Sequence, residues 1–233
     1  MQVVLASSNK GKLEELNGLL GGLGLTLAAQ SEFGVRPCEE PFGTFLENAL
    51  AKARHASAST GLAALADDSG LIVDELSGWA GVRSARLYED WLDRQASLIE
   101  VDIPVDREDS LHFHTRYQQG QISMEQANLF CLIHLLGQQR RMSGLDSSHP
   151  VTARFVCVFA FVRAVDDPLP LIGQGQWLGE VLFEPRGQHG HGYDPIFFDP
   201  VRKRTAAELS LEEKNKCSHR ARAARAFCKA FQT

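Results

Sequence analysis

The chain has 233 residues, of which 44% are hydrophobic and 23% are charged. This length and balance are typical of one large globular domain, or of two close lobes, with a substantial buried core. The formal net charge of −5 argues against nucleic acid as the main partner, because its backbone is bound by a dense basic surface. The net charge is compatible with a small anionic ligand.

The five cysteines are widely spaced, and none belongs to a Cys-x-x-Cys pair. Their odd number and spacing disfavour a disulfide framework or a zinc site and indicate a reducing compartment. The first residues lack the basic and apolar regions of a signal peptide, and no apolar run approaches the length of a membrane span. We therefore expect a soluble, cytoplasmic protein that does not act at a membrane.

The first third of the chain alternates between strand and helix patterns. In chain order it predicts a strand at 3–6, a helix ending at Gly21-Gly22, a strand at 25–29, a helix from a capping box at Thr44 and Glu47 to about Ser59, and a strand at 62–66. That strand is predicted to enter an acidic turn at 67–70, and an apolar segment at 71–73 continues beyond it.

Residues 87–116 are different, because they are charged, irregular and weakly periodic. About 30 such residues are long for a loop in a compact domain, so we interpret them as a functional insertion, a partner surface or a mobile segment. The sequence then predicts a helix around 129–136, strands at 152–162 and 171–183 around a turn at 166–168, a capping box at 210–213, and a helix at 221–231. The whole order predicts an α/β fold with a mixed sheet.

A polar loop lies between the first strand and the first helix. It consists of Ser7, Ser8, Asn9, Lys10, Gly11 and Lys12. Free backbone N–H groups and the positive end of the helix dipole favour phosphate at such a place, and Gly11 permits a close approach. An ordinary polar loop with a capping serine is the alternative, since this is not the longer Walker-type loop.

Two adjacent acids, Asp67 and Asp68, follow the strand at 62–66. Like charges repel and raise one another's pKa unless a cation neutralises them. Mg²⁺ takes one or two carboxylates together with phosphate oxygens, so a metal site explains the pair better than a polar turn with a helix-capping Asp. Asn48 and Lys52 share one helix face and are candidates for holding a metal-bound phosphate, although a solvated face is the alternative.

Two later segments also carry candidate groups. In the segment 190–197, glycines flank His191 and allow a flat group to approach the backbone, whereas a tight turn before a strand is the alternative. Lys214 and the Ser218-His219-Arg220 run near a helix junction suit a purine edge or a phosphate; the alternative is a solvated basic helix end.

Together and in this order, these motifs resemble the inosine triphosphate pyrophosphatase family, whose members hydrolyse non-canonical purine nucleoside triphosphates. The resemblance rests on the segments 8–12, 44–53, 66–71, 81–86, 192–197 and 207–220. It covers nearly the whole chain apart from 87–116, which we read as an insertion forming a lid or an added interface. It implies a single domain, residues 1–233, of two lobes around a long mixed β-sheet with flanking helices, with the active site in the cleft between the lobes. It also implies a homodimer.

The resemblance further implies a Mg²⁺-dependent enzyme that converts ITP, dITP or XTP into the nucleoside monophosphate and pyrophosphate. By motif position, Glu40 and Asp68 are the metal ligands and Asp68 is the catalytic general base; Asp67 is a second candidate, because one acid is not easily both a tight ligand and a free base. Phosphate-binding positions fall on Ser8, Asn9, Lys10, Gly11, Lys12 and Lys52. Nucleotide-binding positions fall on Ser69, His191, Gly192, Tyr193, Asp194, Lys214, His219 and Arg220.

Base choice follows from hydrogen bonding. Hypoxanthine and xanthine present a carbonyl at position 6, and Arg220 and Lys214 only donate; the amino group of adenine would leave buried donors unpaired. The family usually has Phe where this chain has His191, so we expect weaker or pH-dependent base binding. The alternatives are a Maf-type or other modified-nucleotide pyrophosphatase, and a nucleotide-binding protein that has lost catalysis.

Overall fold

The computed structural model describes residues 1–97, 107–144 and 149–232. The strands are β1 (Gln2–Leu5), β2 (Thr26–Ala29), β3 (Ala63–Val73), β4 (Val151–Val162), β5 (Leu171–Val181), β6 (Phe197–Asp199) and β7 (Arg204–Thr205). The α-helices are α1 (Lys10–Leu20), α2 (Phe45–Thr60), α3 (Leu87–Ser97), α4 (Arg107–Gln118), α5 (Met124–Ser143), α6 (Leu211–Cys217) and α7 (His219–Phe231). Short 3₁₀ helices occupy Gly21–Leu23, Gln30–Phe33, Asp74–Leu76, Gly81–Arg86 and Ala206–Glu208.

The strands form one sheet in the order β2-β1-β3-β4-β5-β6-β7. β1 pairs in parallel with β2 and β3, whereas β6 pairs antiparallel with β5 and β7. The predicted α/β fold with a mixed sheet is therefore confirmed. Among the described residues, no helix has both the length and the apolar character that crossing a membrane requires.

Each face of the N-terminal part of the sheet has its own core. Successive side chains of a strand point to opposite faces, and on one face Val3 and Leu65 pack with apolar residues of α1 and α7. On the other face Val4 packs with the α2 alanines Ala49 and Ala53. Because the alanines of α2 are small, this helix packs close to the strands.

The chain divides into two compact units. Unit 1 comprises Met1–Ser69, Arg154–Trp177 and Leu211–Thr233, and unit 2 comprises Gly70–Ala153 and Leu178–Ser210. In unit 2, α5 packs against α3 and against the 3₁₀ helix Gly81–Arg86. The candidate residues of each unit are therefore described with the elements of that unit.

The predicted acidic turn at 67–70 was wrong, because β3 continues unbroken from Ala63 to Val73. Asp, Ser and Gly are typical of turns because their side chains or backbone freedom compete with regular structure. Here Asp67 and Asp68 are both buried and their carboxylates are paired with lysines from neighbouring helices, so the backbone stays extended.

The prediction of an irregular segment at 87–116 was also wrong for the residues that the structure describes, since α3 and α4 occupy most of them; 98–106 lie outside the described residues. Tyr88 is almost completely buried. Its ring contacts those of Trp91, Phe113 and Tyr117 at centroid distances of 5.8, 5.9 and 5.0 Å, and Phe113 stacks on Phe130 of α5 at 3.9 Å. Aromatic packing stabilises these helices, which lack a regular leucine periodicity.

Candidate active site

Asp67 and Asp68 are adjacent on β3 and therefore point to opposite faces of the sheet. Their side chains are 2% and 8% exposed. Asp67 has the parity of Leu65 and lies on the face covered by α1 and α7, while Asp68 has the parity of Ala66 and lies on the face covered by α2. The two carboxylates thus have separate partners.

Asp67 holds two cationic side chains. Its Oδ1 lies 2.9 Å from Lys12 Nζ, and its Oδ2 lies 3.6 Å from Arg220 Nη2. Arg220 also donates through Nη1 to Glu15 at 2.8 Å. Burial alone would raise the pKa of Asp67, but Lys12, Arg220 and Lys52 outweigh it and hold that pKa well below its usual range. These cations therefore favour the charged form of Asp67, which pairs with Lys12 and Arg220.

Asp68 is part of a second group, built around Lys52 of α2. Lys52 Nζ lies 3.0 Å from Asp68 Oδ1 and 2.8 Å from Glu40 Oε1, and Asn48 Nδ2 donates to Asp68 Oδ2 at 3.3 Å. Burial raises the pKa of Asp68 even though Lys52 acts against this. Burial would lower the pKa of Lys52, but Asp68, Asp67 and Glu40 reverse the shift and raise it. Lys52 is thus an ammonium ion shared by two carboxylates.

Because Glu40 and Asp68 converge on one ammonium ion, they also fit a hard divalent cation. Among the residues that the structure describes, no group of three or more His, Cys, Asp or Glu side chains converges to hold a metal. The protein therefore offers two carboxylates rather than a complete cage. That donor set suits a cation that takes its remaining oxygen ligands from water and from a bound phosphate.

The start of α1 is organised by Asn9. Its side chain accepts a hydrogen bond from Lys12 N at 3.1 Å, while Asn9 N donates to Ser7 Oγ at 3.2 Å. A Cβ added at Gly11 would meet only Asn9 Oδ1, at 3.4 Å, among the described atoms. Packing within unit 1 therefore does not demand glycine at this position. The side chain of Lys10 lies outside the described residues.

His219, in the first turn of α7, is a neutral imidazole in a largely buried position. Its ring stacks on Phe155 of β4 with a centroid distance of 4.8 Å and an interplanar angle of 18°. Burial lowers the pKa of His219 well below its usual value, and Arg220 and Lys214 add to this shift. Its Nδ1 is buried and has no hydrogen-bond partner among the described residues.

The segment around His191 belongs to unit 2. The His191 ring is exposed, and its backbone N–H donates to the buried carboxylate of Asp194 at 2.7 Å. Tyr193 is buried and its hydroxyl donates to Ser84 O at 2.7 Å. The buried side chains of Asp194 and Tyr193 therefore hold the loop by hydrogen bonds. His191 and Gly192 are the accessible part of the loop. With residues at the start of α5, this loop lines a cavity of about 170 Å³.

Unit 1 brings together most of the predicted site residues. Those with contacts described above are Ser7, Asn9, Lys12, Glu40, Lys52, Asp68, His219 and Arg220. Ser69 and Lys214 belong to the same unit and are partly exposed, and Ser8 in this unit is exposed. Sequence reasoning missed Glu15 and Phe155. Glu15 lies three residues after Lys12 on α1 and so shares its face, which is a usable signal. Phe155 lies in an apolar strand, and nothing in the sequence distinguishes it from its neighbours.

Comparison with known proteins places the chain in a family. The Ham1 family model matches residues 3–118 and 135–230. The dITP/XTP pyrophosphatase of Xylella fastidiosa (strain 9a5c) is 44% identical over 227 residues, covering 95% of this chain and 92% of the relative. That of Thioalkalivibrio sulfidiphilus is 41% identical and covers 100% and 99%. A solved HAM1 protein from Coxiella burnetii has 37% identity and a TM-score of 0.76, covering 100% of this chain and 98% of the other.

A site of paired lysines and carboxylates on β3, an interior strand of an α/β sheet, thus occurs in a chain with these relatives over nearly its full length. The chain belongs to the Ham1 family. The resemblance to nucleoside triphosphate pyrophosphatases that the sequence motifs indicated is confirmed.

Proposed function

We propose that this protein hydrolyses dITP, XTP and ITP to the nucleoside monophosphate and pyrophosphate. The observation that carries the proposal is the division of the acid pair. Asp67 holds Lys12 in place on one face of β3, while Asp68, Glu40 and Lys52 form a cation site on the other. A triphosphate requires both cationic side chains and a metal-binding pair of carboxylates, and its curated relatives carry the name of this activity.

The chain's own lysines bind and orient the phosphates. The side chain of Lys12 is 23% exposed and that of Lys52 is 12% exposed. Both ammonium groups can therefore exchange part of their carboxylate contact for a phosphate oxygen. Attack at the α-phosphorus places charge on the departing pyrophosphate, and preorganised ammonium groups stabilise that charge. Asn9 and the free N–H groups of α1 supply further donors.

Glu40 and Asp68 are the residues that would hold Mg²⁺. The bound ion supplies electrostatic stabilisation of the phosphate oxygens. Asp68 lies on the same face as Glu40 and Lys52, and it accepts the proton of the attacking water in our proposal. We assign this role to Asp68 rather than to Asp67, because the Asp67 carboxylate pairs with Lys12 and Arg220 on the opposite face.

The purine is read by residues at the start of α7. In the tautomer that carries its proton on Nδ1, His219 donates from this unpaired atom to the carbonyl at position 6 of hypoxanthine or xanthine. The half-buried ammonium of Lys214 is a second donor to this carbonyl. Arg220 already binds Glu15 and Asp67, so its role is to hold the helix start beside Asp67 as well as to donate. An adenine amino group would leave these donors unpaired, which disfavours dATP.

The test is pyrophosphate release from dITP, XTP, dATP and dGTP with and without Mg²⁺. We expect rapid release from dITP and XTP with Mg²⁺ and little from dATP. No release from any of the four would overturn the proposal and favour a nucleotide-binding protein without catalysis. The same preparation, measured by light scattering, tests the homodimer that the family resemblance implies.

A further inference from the structure

Helix α7 lies directly on the backbone of β5. β5 carries Gly173 and Gly175, two residues apart and so on the same face of the sheet. Neither glycine has a positive φ, so backbone conformation does not explain them. Their lack of a side chain does, since both face α7.

The contact at Gly175 is with the first turn of α7. A Cβ built there would lie 2.2 Å from His219 O and 2.3 Å from Ala223 N. Real Cβ atoms essentially never approach a heavy atom within 3.0 Å. Both contacted atoms belong to the helix backbone, so a side chain at this position can be accommodated only if the start of the helix moves.

Phe155 supports the same turn from β4. Its ring is 7% exposed and stacks on His219 at 4.8 Å, so it sets the plane of the imidazole. The turn is closed by Ser218, whose Oγ accepts a hydrogen bond from Ala221 N at 3.2 Å. The backbone of His219 is therefore set by Gly175 and its ring by Phe155.

We propose that Gly175 and Phe155 are positioning residues for purine recognition. They fix the first turn of α7 and with it the unpaired Nδ1 of His219 and the guanidinium of Arg220. The inference rests on the proposed function, in which the start of α7 faces the purine. A base held by hydrogen bonds tolerates little displacement of its donors, because a hydrogen bond weakens steeply as its distance and angle depart from the optimum.

The chain offers matched controls. Gly173 faces the same helix further along, where a Cβ would lie 2.6 Å from both Ala223 O and Phe227 Cβ. Phe159 is a fully buried phenylalanine of the same strand as Phe155 and packs edge-to-face on Phe227 at 6.3 Å. Gly173→Ala and Phe159→Leu therefore disturb the packing of α7 without touching His219.

The experiment compares Gly175→Ala with Gly173→Ala, and Phe155→Leu with Phe159→Leu, by kcat and KM for dITP, by dIMP affinity, and by thermal unfolding. We expect all four variants to lose stability. Only Gly175→Ala and Phe155→Leu should raise KM for dITP and weaken dIMP binding, by about tenfold or more, with kcat changed much less, because the lost interaction is binding of the base. If Gly175→Ala does not fold, the Phe155 pair alone decides.

Equal KM values in a test variant and its control, after allowance for unfolded protein, would overturn the inference and reduce both residues to ordinary packing. This result is distinct from failure of the proposed function, which would appear as absence of pyrophosphate release from dITP in the wild-type protein. dIMP affinity is read without turnover, so a variant with impaired chemistry still reports on recognition.

Discussion

Lys12 Nζ lies 2.9 Å from Asp67 Oδ1, on the face of β3 opposite to Asp68. Asp67 thus forms an ion pair with Lys12, whereas Asp68 pairs with Lys52, which also pairs with Glu40. Neither residue can take the other's place, because a strand cannot turn one side chain through the sheet. In the proposed function, the different roles of Asp67 and Asp68 follow from this alternation.

We expect Asp68→Asn to abolish most of the activity while the protein stays folded. Removal of a general base costs on the order of 10² to 10⁴ in kcat, and the amide keeps the contact with Asn48 and the size of the side chain. Steady-state kinetics with dITP at saturating Mg²⁺, together with urea unfolding, measure the two effects.

Asp67→Asn should behave differently. It leaves Lys12 without its buried counter-charge and Arg220 with Glu15 alone. We expect this to cost about 2 kcal/mol of unfolding free energy, less than for a fully buried pair, because both cations are partly exposed. A variant with unchanged stability and the larger loss of kcat would show that Asp67, not Asp68, is the base.

The acid pair also shows where sequence reasoning fails. The two aspartates are neighbours in the sequence, which predicts mutual repulsion in a turn. In the structure they are paired separately, and the long-range partners that allow this, Lys12, Lys52 and Arg220, become visible only when three helices are placed around one strand. The sequence pointed to both aspartates, but it did not predict the separate pairing with Lys12 and Lys52 that accompanies their burial.

The fold was predictable where apolar patterns are regular. β1, β4 and α7 were predicted to within about two residues, because their burial leaves a clear period in the sequence. Helices α3 and α4 were missed, since their packing depends on aromatic rings such as Tyr88 and Phe113 meeting α5. Such contacts join distant segments and leave no local period.

We expect Glu40→Gln to raise the Mg²⁺ concentration needed for half-maximal activity by about tenfold or more, because one of two protein carboxylates for the ion is lost. Glu39→Gln is the matched control, since Glu39 is the neighbouring residue and is exposed. A Mg²⁺ titration of pyrophosphate release measures both. Equal shifts in the two variants would mean that only the general negative charge of this segment matters.

The stability of the protein should fall with pH below about 6.5 through His219. Burial first, and then Arg220 and Lys214, lower the pKa of this imidazole, while Asp67 acts in the opposite direction. Below the unfolded pKa of about 6.5, the unfolded chain binds a proton at His219 that the folded protein does not bind. The contribution of His219 to the free energy of unfolding is therefore fully present above this pH. It decreases by up to about 1.4 kcal/mol for each pH unit below it.

Urea unfolding at pH 7.5 and 5.5 tests this with His219→Phe, which keeps a flat ring on Phe155. We expect the wild type to lose more stability than the variant between these two values. Between pH 8.5 and 7.5, above the window, the two proteins should change equally. The same loss in both proteins between pH 7.5 and 5.5 would show that His219 is not the group responsible.

We expect His191→Phe to lower KM for dITP several-fold. The imidazole is exposed in a loop whose backbone is fixed by Asp194, so the substitution changes the accessible ring without disturbing the loop. A larger, apolar ring stacks on a purine more strongly, a gain of about 0.5–1.5 kcal/mol. His189→Phe, in the same loop and also exposed, is the control and should leave KM unchanged. Measuring KM from pH 5.5 to 8 then separates the effect of ring size from that of charge. If the wild-type KM is constant over this range and the KM of His191→Phe equals it, the ring at this position does not contact the base.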